Sequence, residues 1–316
     1  MTNAFPRKEI HVHNLESPLG ESSVSVLPRG RLIVDEEFKR YAQKRWEEKN
    51  NGNVNSVIPS AFEVETTKDS MTIWCYRTEY KYLTGMVELA LEKGTSDVQT
   101  IVHSLSTEIM PVTQDGMFFL ERRPEIGRQH ASGFYDLGGN QNAQIWVDKS
   151  RAVKPDLVKD IFDVFGFPRW NLFQHFGING EEINEICYTG YARGFEISIA
   201  SQFNGYAKVN VTGRDVFARR PENDRLVYRL EDIPEIFASL ENNGSRGSRL
   251  RSDIYGKIPR PTDEGFKLVD GTIGNLLSNT LHLRGKKEYD IAKVVLATKG
   301  YVINEVPMGK IKLDDL

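Results

Sequence analysis

Pro155-Asp156-Leu157-Val158-Lys159-Asp160-Ile161-Phe162-Asp163-Val164-Phe165-Gly166-Phe167 is the stretch on which the reading of this chain turns. At a 3.6-residue period it separates into two faces. Leu157, Val158, Ile161, Phe162, Val164 and Phe165 take one side, while Asp156, Asp160 and Asp163 fall on the other with Lys159 among them. The spacing predicts a helix over 156–165 with three carboxylates turned toward one point. Like charges on one stripe weaken a helix by a few tenths of a kcal/mol per pair, at roughly 0.2–0.5. A divalent cation would convert that repulsion into coordination by hard oxygen ligands. The same stripe also fits a solvated acidic face.

Upstream lies a strand, turn and strand signal: Thr107 to Thr113, the turn Gln114-Asp115-Gly116, then Met117 to Arg123, with Asp-Gly marking a hairpin. A loop through Pro124, Gly127 and Gly133 leads to Gly133-Phe134-Tyr135-Asp136-Leu137-Gly138-Gly139-Asn140, followed by a polar insertion to about Lys154. Downstream, strands are expected at Ile186–Ala192, Glu196–Phe203 and Val227–Leu230, helices at Ile233–Leu240 and Ile291–Ala297, and a loop over Asn242–Asp263. Toward the N-terminus, residues 1–30 read as a partly extended arm with a small core contribution. After it come an amphipathic helix from Asp35 to Asn50, a hairpin of Ala61–Glu65 with Met71–Arg77, and a helix from Tyr80 to Leu91. The order of elements reads as an α/β sandwich: a mixed sheet between helices, with an N-terminal α+β extension. The expected division is 1–104 for the arm and helix-hairpin-helix extension, and 105–316 for the main domain with its C-terminal tail.

The 316 residues carry 41 Lys+Arg against 44 Asp+Glu, a net charge of -3, so bulk charge gives no pull toward nucleic acid. Hydrophobic residues at 39% and charged residues at 27% describe a chain able to bury a core. No run approaches the ~20 apolar residues of a membrane-spanning helix. The first fifteen residues lack the apolar segment of a secretory signal, which leads to the expectation of a cytoplasmic protein. Cys75 and Cys187 are two thiols within expected strands, too few for a disulfide framework, and are expected to be buried and free.

The strand ending Phe119-Leu120-Glu121-Arg122-Arg123, the segment Gly133 to Gly139, and a helix closing at Gly166-Phe167 together resemble the Nudix hydrolase family. In that family a Gly-Gly turn precedes a box whose second half reads Arg-Glu-apolar-x-Glu-Glu-x-Gly-apolar. Laid on Lys159 to Phe167, the resemblance puts Asp160 and Asp163 at two of the family's glutamates. It puts Val164 where a third glutamate, usually a metal ligand, would stand, and Ile145 where the upstream glutamate would fall. The layout is similar to the branch of UDP-glucose pyrophosphatases that also carries an atypical box. The resemblance implies a Nudix-like α/β/α fold and water attack, assisted by Mg²⁺ or Mn²⁺, on the diphosphate of a nucleoside diphosphate-linked substrate such as a UDP-sugar.

In that reading Asp160 and Asp163 are the catalytic and metal-binding carboxylates and Asp156 a further metal ligand. Arg122, Arg123 and Arg128 offer forked donors to the phosphates, and Gly138 and Gly139 let the backbone turn beside them. The rival reading is a Nudix-fold nucleotide or nucleotide-sugar binding protein without hydrolysis. A third is a metal-free enzyme, such as an N-glycosidase, acting on a nucleotide-like ligand. The expected partner is a nucleotide-like small molecule, with no membrane and with a homodimer left open. Glu181, Glu182 and Glu185 are reserve carboxylates that read first as an acidic loop. Tyr188 and Tyr191 read as core, and His11-x-His13 as a surface feature of the arm.

Overall fold

The computed structural model describes residues 8–49, 55–93, 102–122, 134–136, 160–194, 201–219, 225–240, 267–268 and 270–313. In chain order these hold β1 (Lys8–Leu19), β2 (Val24–Arg31), α1 (Glu36–Lys49), β3 (Val57–Thr66), β4 (Met71–Glu79), α2 (Tyr80–Lys93), β5 (Ser106–Val112), β6 (Met117–Arg122) and β7 (Phe134–Asp136). There follow α3 (Gly166–Phe176), β8 (Ile183–Gly194), β9 (Ser201–Val209), α4 (Gly213–Arg219), β10 (Arg225–Arg229), α5 (Ile233–Ala238), β11 (Lys267–Leu268), α6 (Asp270–Arg284), α7 (Lys286–Thr298), β12 (Tyr301–Glu305) and β13 (Lys310–Lys312). The fold is α/β with mixed sheets, as the order of elements in the sequence implies.

Three sheets form, with strand orders β12-β1-β8-β9-β5, β10-β6-β7-β11 and β13-β3-β4-β2. Each mixes directions: β1 runs parallel to β12 and antiparallel to β8, β7 parallel to β11 and antiparallel to β6, and β4 parallel to β2 and antiparallel to β3. One core lies between the five-stranded sheet, β6 and β10, and the layer of α5, α6 and α7. It is built from Ile10, Met110, Phe118, Tyr228, Phe237, Leu276 and Tyr289 among others. A second core on the other face of that sheet joins Leu15, Tyr191 and Phe203 to Ile73 and Cys75 of the β3–β4 pair and to Leu172 and Phe176 of α3. A third seals α1 and α2 onto the outer side of the β3–β4 sheet through Phe38, Ala42, Ile58 and Met86.

Local chemistry explains the elements that the sequence shows plainly. The Asp35 carboxylate accepts the Phe38 amide at 2.8 Å and starts α1. Gly85 lets α2 approach it closely, since a Cβ there would sit 2.7 Å from the Cβ of Ala42. The Thr67 hydroxyl accepts the amides of Asp69 and Ser70, closing the β3–β4 turn. Cys75 and Cys187 are buried and free, and burial pushes both thiols up from the ordinary value.

Three expectations give way. The N-terminal arm is not marginal to the core: β1 lies between β8 and β12, with Ile10, Val12, Leu15 and Leu19 buried. Its Pro, Gly and Ser content hides alternating apolar residues that only a partner strand on each side can use. His13 on β1 is fully buried, not a surface group. Its Nδ1 lies 3.1 Å from the Val306 carbonyl and its Nε2 3.0 Å from the Thr66 hydroxyl, and its ring stacks on Tyr191. The Asp115-Gly116 turn forms, with Gly116 at φ 76 and the Thr113 and Met117 backbones joined at 2.9 Å, but its arms part into different sheets. β5 pairs with β9 and β6 with β10, because the turn chemistry fixes a reversal and the long-range partners fix the pairing. Part of the strand expected at Glu196–Phe203 lies outside the described residues; β9 runs on from Ser201 to Val209. The Asn242–Asp263 loop also lies outside them.

Candidate functional site

The aspartate-bearing segment before Gly166 does not close a helix. Residues 160–165 are turns, and α3 begins at Gly166, where the spacing puts a helix end. Asp160 Oδ1 accepts the Phe162 amide at 2.6 Å, and Asp163 Oδ1 accepts the amides of Phe165 at 3.3 Å and Gly166 at 2.7 Å. An aspartate oxygen that satisfies amides two and three residues on competes with helix propagation behind it and starts a helix ahead of it. Asp160 and Asp163 therefore do not form a stripe on one helix. Val164 is buried at 4% exposure, and its carbonyl accepts the Tyr188 hydroxyl. Asp156, Arg123, Arg128, Gly138 and Gly139 lie outside the described residues, and Arg122 is the last residue of β6, in register opposite Tyr135.

Among the described residues, no group of three His, Cys, Asp or Glu side chains is disposed to hold a metal ion. The reserve carboxylates are used structurally. Glu182 accepts both arms of the Arg219 guanidinium at 2.8 Å and the Asn179 amide at 2.9 Å. The Arg219 bonds, helped by those from Asn179, hold its carboxyl down to about 2. Glu185 pairs with Lys208 at 2.6 Å on the neighbouring strand. Tyr188 and Tyr191 belong to the second core, as their place in a strand implies.

A different set of polar groups meets where β6, β7, β10 and the last turn of α3 come together. Strand register places Glu121 opposite Arg225 on one side and opposite Asp136 on the other. His175 of α3 reaches down so that its Nδ1 lies 2.9 Å from Glu121 Oε2. A carboxylate only accepts, so Nδ1–H donates, and in the neutral ring Nε2 is then the basic nitrogen. The Glu121 side chain is 14% exposed and the His175 side chain 35%. Arg225 is buried, its guanidinium carbon 4.8 Å from the centre of the Phe176 ring. The strand containing Glu121 was legible, but its arginines are the more conspicuous residues, and His175 stands alone in the sequence with nothing to mark its partner.

A second polar assembly, larger and wholly internal, joins α6 to the five-stranded sheet. Every residue from Gly271 to Thr280 is buried. Thr272 donates to the Glu108 carboxylate and Asn275 to the Glu108 carbonyl. Asn279 donates to the Gly205 carbonyl at 2.8 Å and accepts from the Thr189 hydroxyl at 3.0 Å. Ser278 donates to Thr189 at 3.2 Å. The fold and these two clusters define a mixed α/β protein with a polar junction where β6 lies between β7 and β10. No family model matches the chain, and no curated protein matches its sequence. Among the described residues no helix is long and apolar enough to cross a membrane.

Proposed function

We propose that this chain is a Nudix-like hydrolase that cleaves the diphosphate of a nucleoside diphosphate-linked substrate such as a UDP-sugar. The carrying observation is the His175–Glu121 pair at the end of β6, with Arg225 of β10 in register with Glu121 on one side and Asp136 of β7 on the other. β7 ends at Asp136, two residues before the Gly138-Gly139 turn that the resemblance puts beside the phosphates. α3, which follows the box-like segment, is the element that delivers His175 to β6. The resemblance further implies Mg²⁺ or Mn²⁺, which would supply charge neutralisation on the phosphoryl oxygens. Asp160 and Asp163 fit that role poorly, because one oxygen of each serves the amides of its own turn and the two do not share a helix face.

That poor fit favours a second reading, in which the same fold binds a nucleotide-like ligand without cleaving it. Calorimetric titration of the full chain with UDP, UDP-glucose and UMP, with and without Mg²⁺ or Mn²⁺, and product analysis of the same mixtures separate the two. Binding with release of a nucleoside monophosphate supports the hydrolase. Binding without product supports the ligand-binding reading, and absence of binding to every nucleotide overturns both.

A further inference from the structure

We infer that His13 is an acid-sensitive latch: neutral, it holds the C-terminal strap of residues 306–313 across the joint between the five-stranded sheet and the β3–β4 sheet, and protonated it lets the strap go. The device is independent of the nucleotide chemistry proposed above. The strap leaves the five-stranded sheet after β12, where the Val306 amide donates to the Val12 carbonyl at 2.9 Å, and joins the other sheet at β13, which pairs antiparallel with β3. Its end is held by the Leu313 side chain, buried in the second core, and by Arg193, which donates to the Leu313 carbonyl at 2.7 Å. His13 sits at the crossing, fully buried and stacked on Tyr191 with ring centres 5.0 Å apart.

Both ring nitrogens are committed, and the neighbours fix which one carries the proton. The Val306 carbonyl, 3.1 Å from Nδ1, only accepts, so Nδ1–H donates and the neutral Nε2 accepts from the Thr66 hydroxyl at 3.0 Å. That hydroxyl also accepts the Gly309 amide at 3.1 Å, and the Thr66 amide donates to the Gly309 carbonyl at 3.0 Å. A proton on Nε2 turns an acceptor into a donor aimed at the Thr66 oxygen. The hydroxyl must then swing its own proton toward the Gly309 carbonyl, 3.3 Å away and already bonded to an amide. The new charge would also lie in the core with no carboxylate among the described residues to pair with it.

The surrounding charges do not relieve it. On β1 itself, Glu9 lies 4.0 Å from His11 and Glu16 is exposed. On β8, Arg193 shares the face of Tyr191 and is positive. On β3, Glu63 and Glu65 alternate with the buried Val64 and Thr66 and so point away from the ring, Glu63 toward Lys310 of β13 at 3.1 Å. Lys312 of β13 and Lys68 and Asp69 of the β3–β4 turn are exposed. On β12, Glu305 is taken by Lys293 and the Tyr289 hydroxyl. Burial lowers the His13 value, so the closed strap binds fewer protons than the open one. Opening therefore grows as the pH falls below about 6.5, by at most about tenfold per pH unit. Release would take Leu313 out of the second core and bare the β3 edge that β13 covers.

Hydrogen exchange of the full chain, read by mass spectrometry at about pH 7.5 and about pH 5.5 and referred to unfolded-chain rates at each pH, tests the latch. In wild type, protection of 306–313 should fall by about tenfold on acidification while β8 and β9 keep theirs. His13→Gln retains a donor and an acceptor but cannot charge, and it leaves His11, whose value burial also lowers, in place. Its strap protection should be the same at both pH values. Unchanged wild-type protection, an equal loss in β8 and β9, or an equal loss in His13→Gln each overturns the inference. If the variant's strap is already open at the higher pH, NMR of labelled histidine in wild type decides: a His13 titration that tracks the loss of protection supports the latch, and a ring that stays neutral while protection falls overturns it.

Discussion

Asp160 and Asp163 stand in an accessible turn and serve amides two or three residues away, whereas Asn275 and Asn279 stand on a helix without solvent and serve groups 167 and 74 residues away. The aspartate turn carries the spacing of a metal site in the sequence and acts as local structure. The asparagine helix carries no motif and ties α6 to three strands. The difference lies in where each polar group finds its partner. A short carboxylate next to its own backbone can be satisfied within one turn, so its spacing along the chain says little about convergence in space. A buried carboxamide must find donors and acceptors across the fold, because leaving it unpaired costs about 1–3 kcal/mol.

The largest effect that would test this contrast is at α6. Asn279→Leu keeps helix propensity but leaves the Gly205 carbonyl and the Thr189 hydroxyl without their partner, and should cost about 3 kcal/mol in urea unfolding. A loss below about 1 kcal/mol would mean that the network adds little, and the contrast would fail on that side. The next effect is at the turn. Asp163→Ala should cost about 1 kcal/mol through loss of the bonds to Phe165 and Gly166, while Asp163→Asn, whose side-chain oxygen can cap as well, should melt almost as wild type. If Asp163→Asn melts normally and yet abolishes Mg²⁺-dependent turnover, the carboxylate charge of Asp163 itself matters and its role is not local structure alone.

The smallest effect concerns Glu182. Its folded value near 2 lies below the ordinary carboxylate value, so its pairing stabilises the protein above about pH 4.5. That contribution is lost as the pH falls from there toward 2. Glu182→Gln should flatten the acid limb of a stability-against-pH curve by less than about 1 kcal/mol, since the pair is partly exposed. An unchanged limb would assign acid loss to other groups. One of these is His13, whose burial lowers its value, so that folding opposes its protonation and stability falls as the pH drops below about 6.5.

Much of the secondary structure is legible in the chain. The 3.6 period of Phe38, Tyr41, Ala42 and Trp46 marks α1, and the alternation in Met71–Arg77 marks β4, because each element buries one face and wets the other. α6 escapes this rule. Its apolar side, with Ile273, Leu276 and Leu277, enters the first core, while Thr272, Asn275 and Asn279 bond the sheet. With both sides covered, the usual contrast between core and solvent is missing. The candidate site was legible only in part: the strand carrying Glu121 stands out, but neither His175 nor Arg225 advertises a partner 54 or more residues away.

By itself the sequence determined the mixed α/β character, the two buried thiols, the ends of α1 and the reversal at Asp115-Gly116, all of which follow from interactions within a few residues or from simple periodicity. Only the tertiary structure decided that β1 enters the five-stranded sheet, that β5 and β6 part company, that Asp163 starts α3, and that His175 rests on Glu121. Pairing partners and polar contacts between distant segments are selected by the competition among all surfaces that must be buried at once, and local spacing carries no record of that competition.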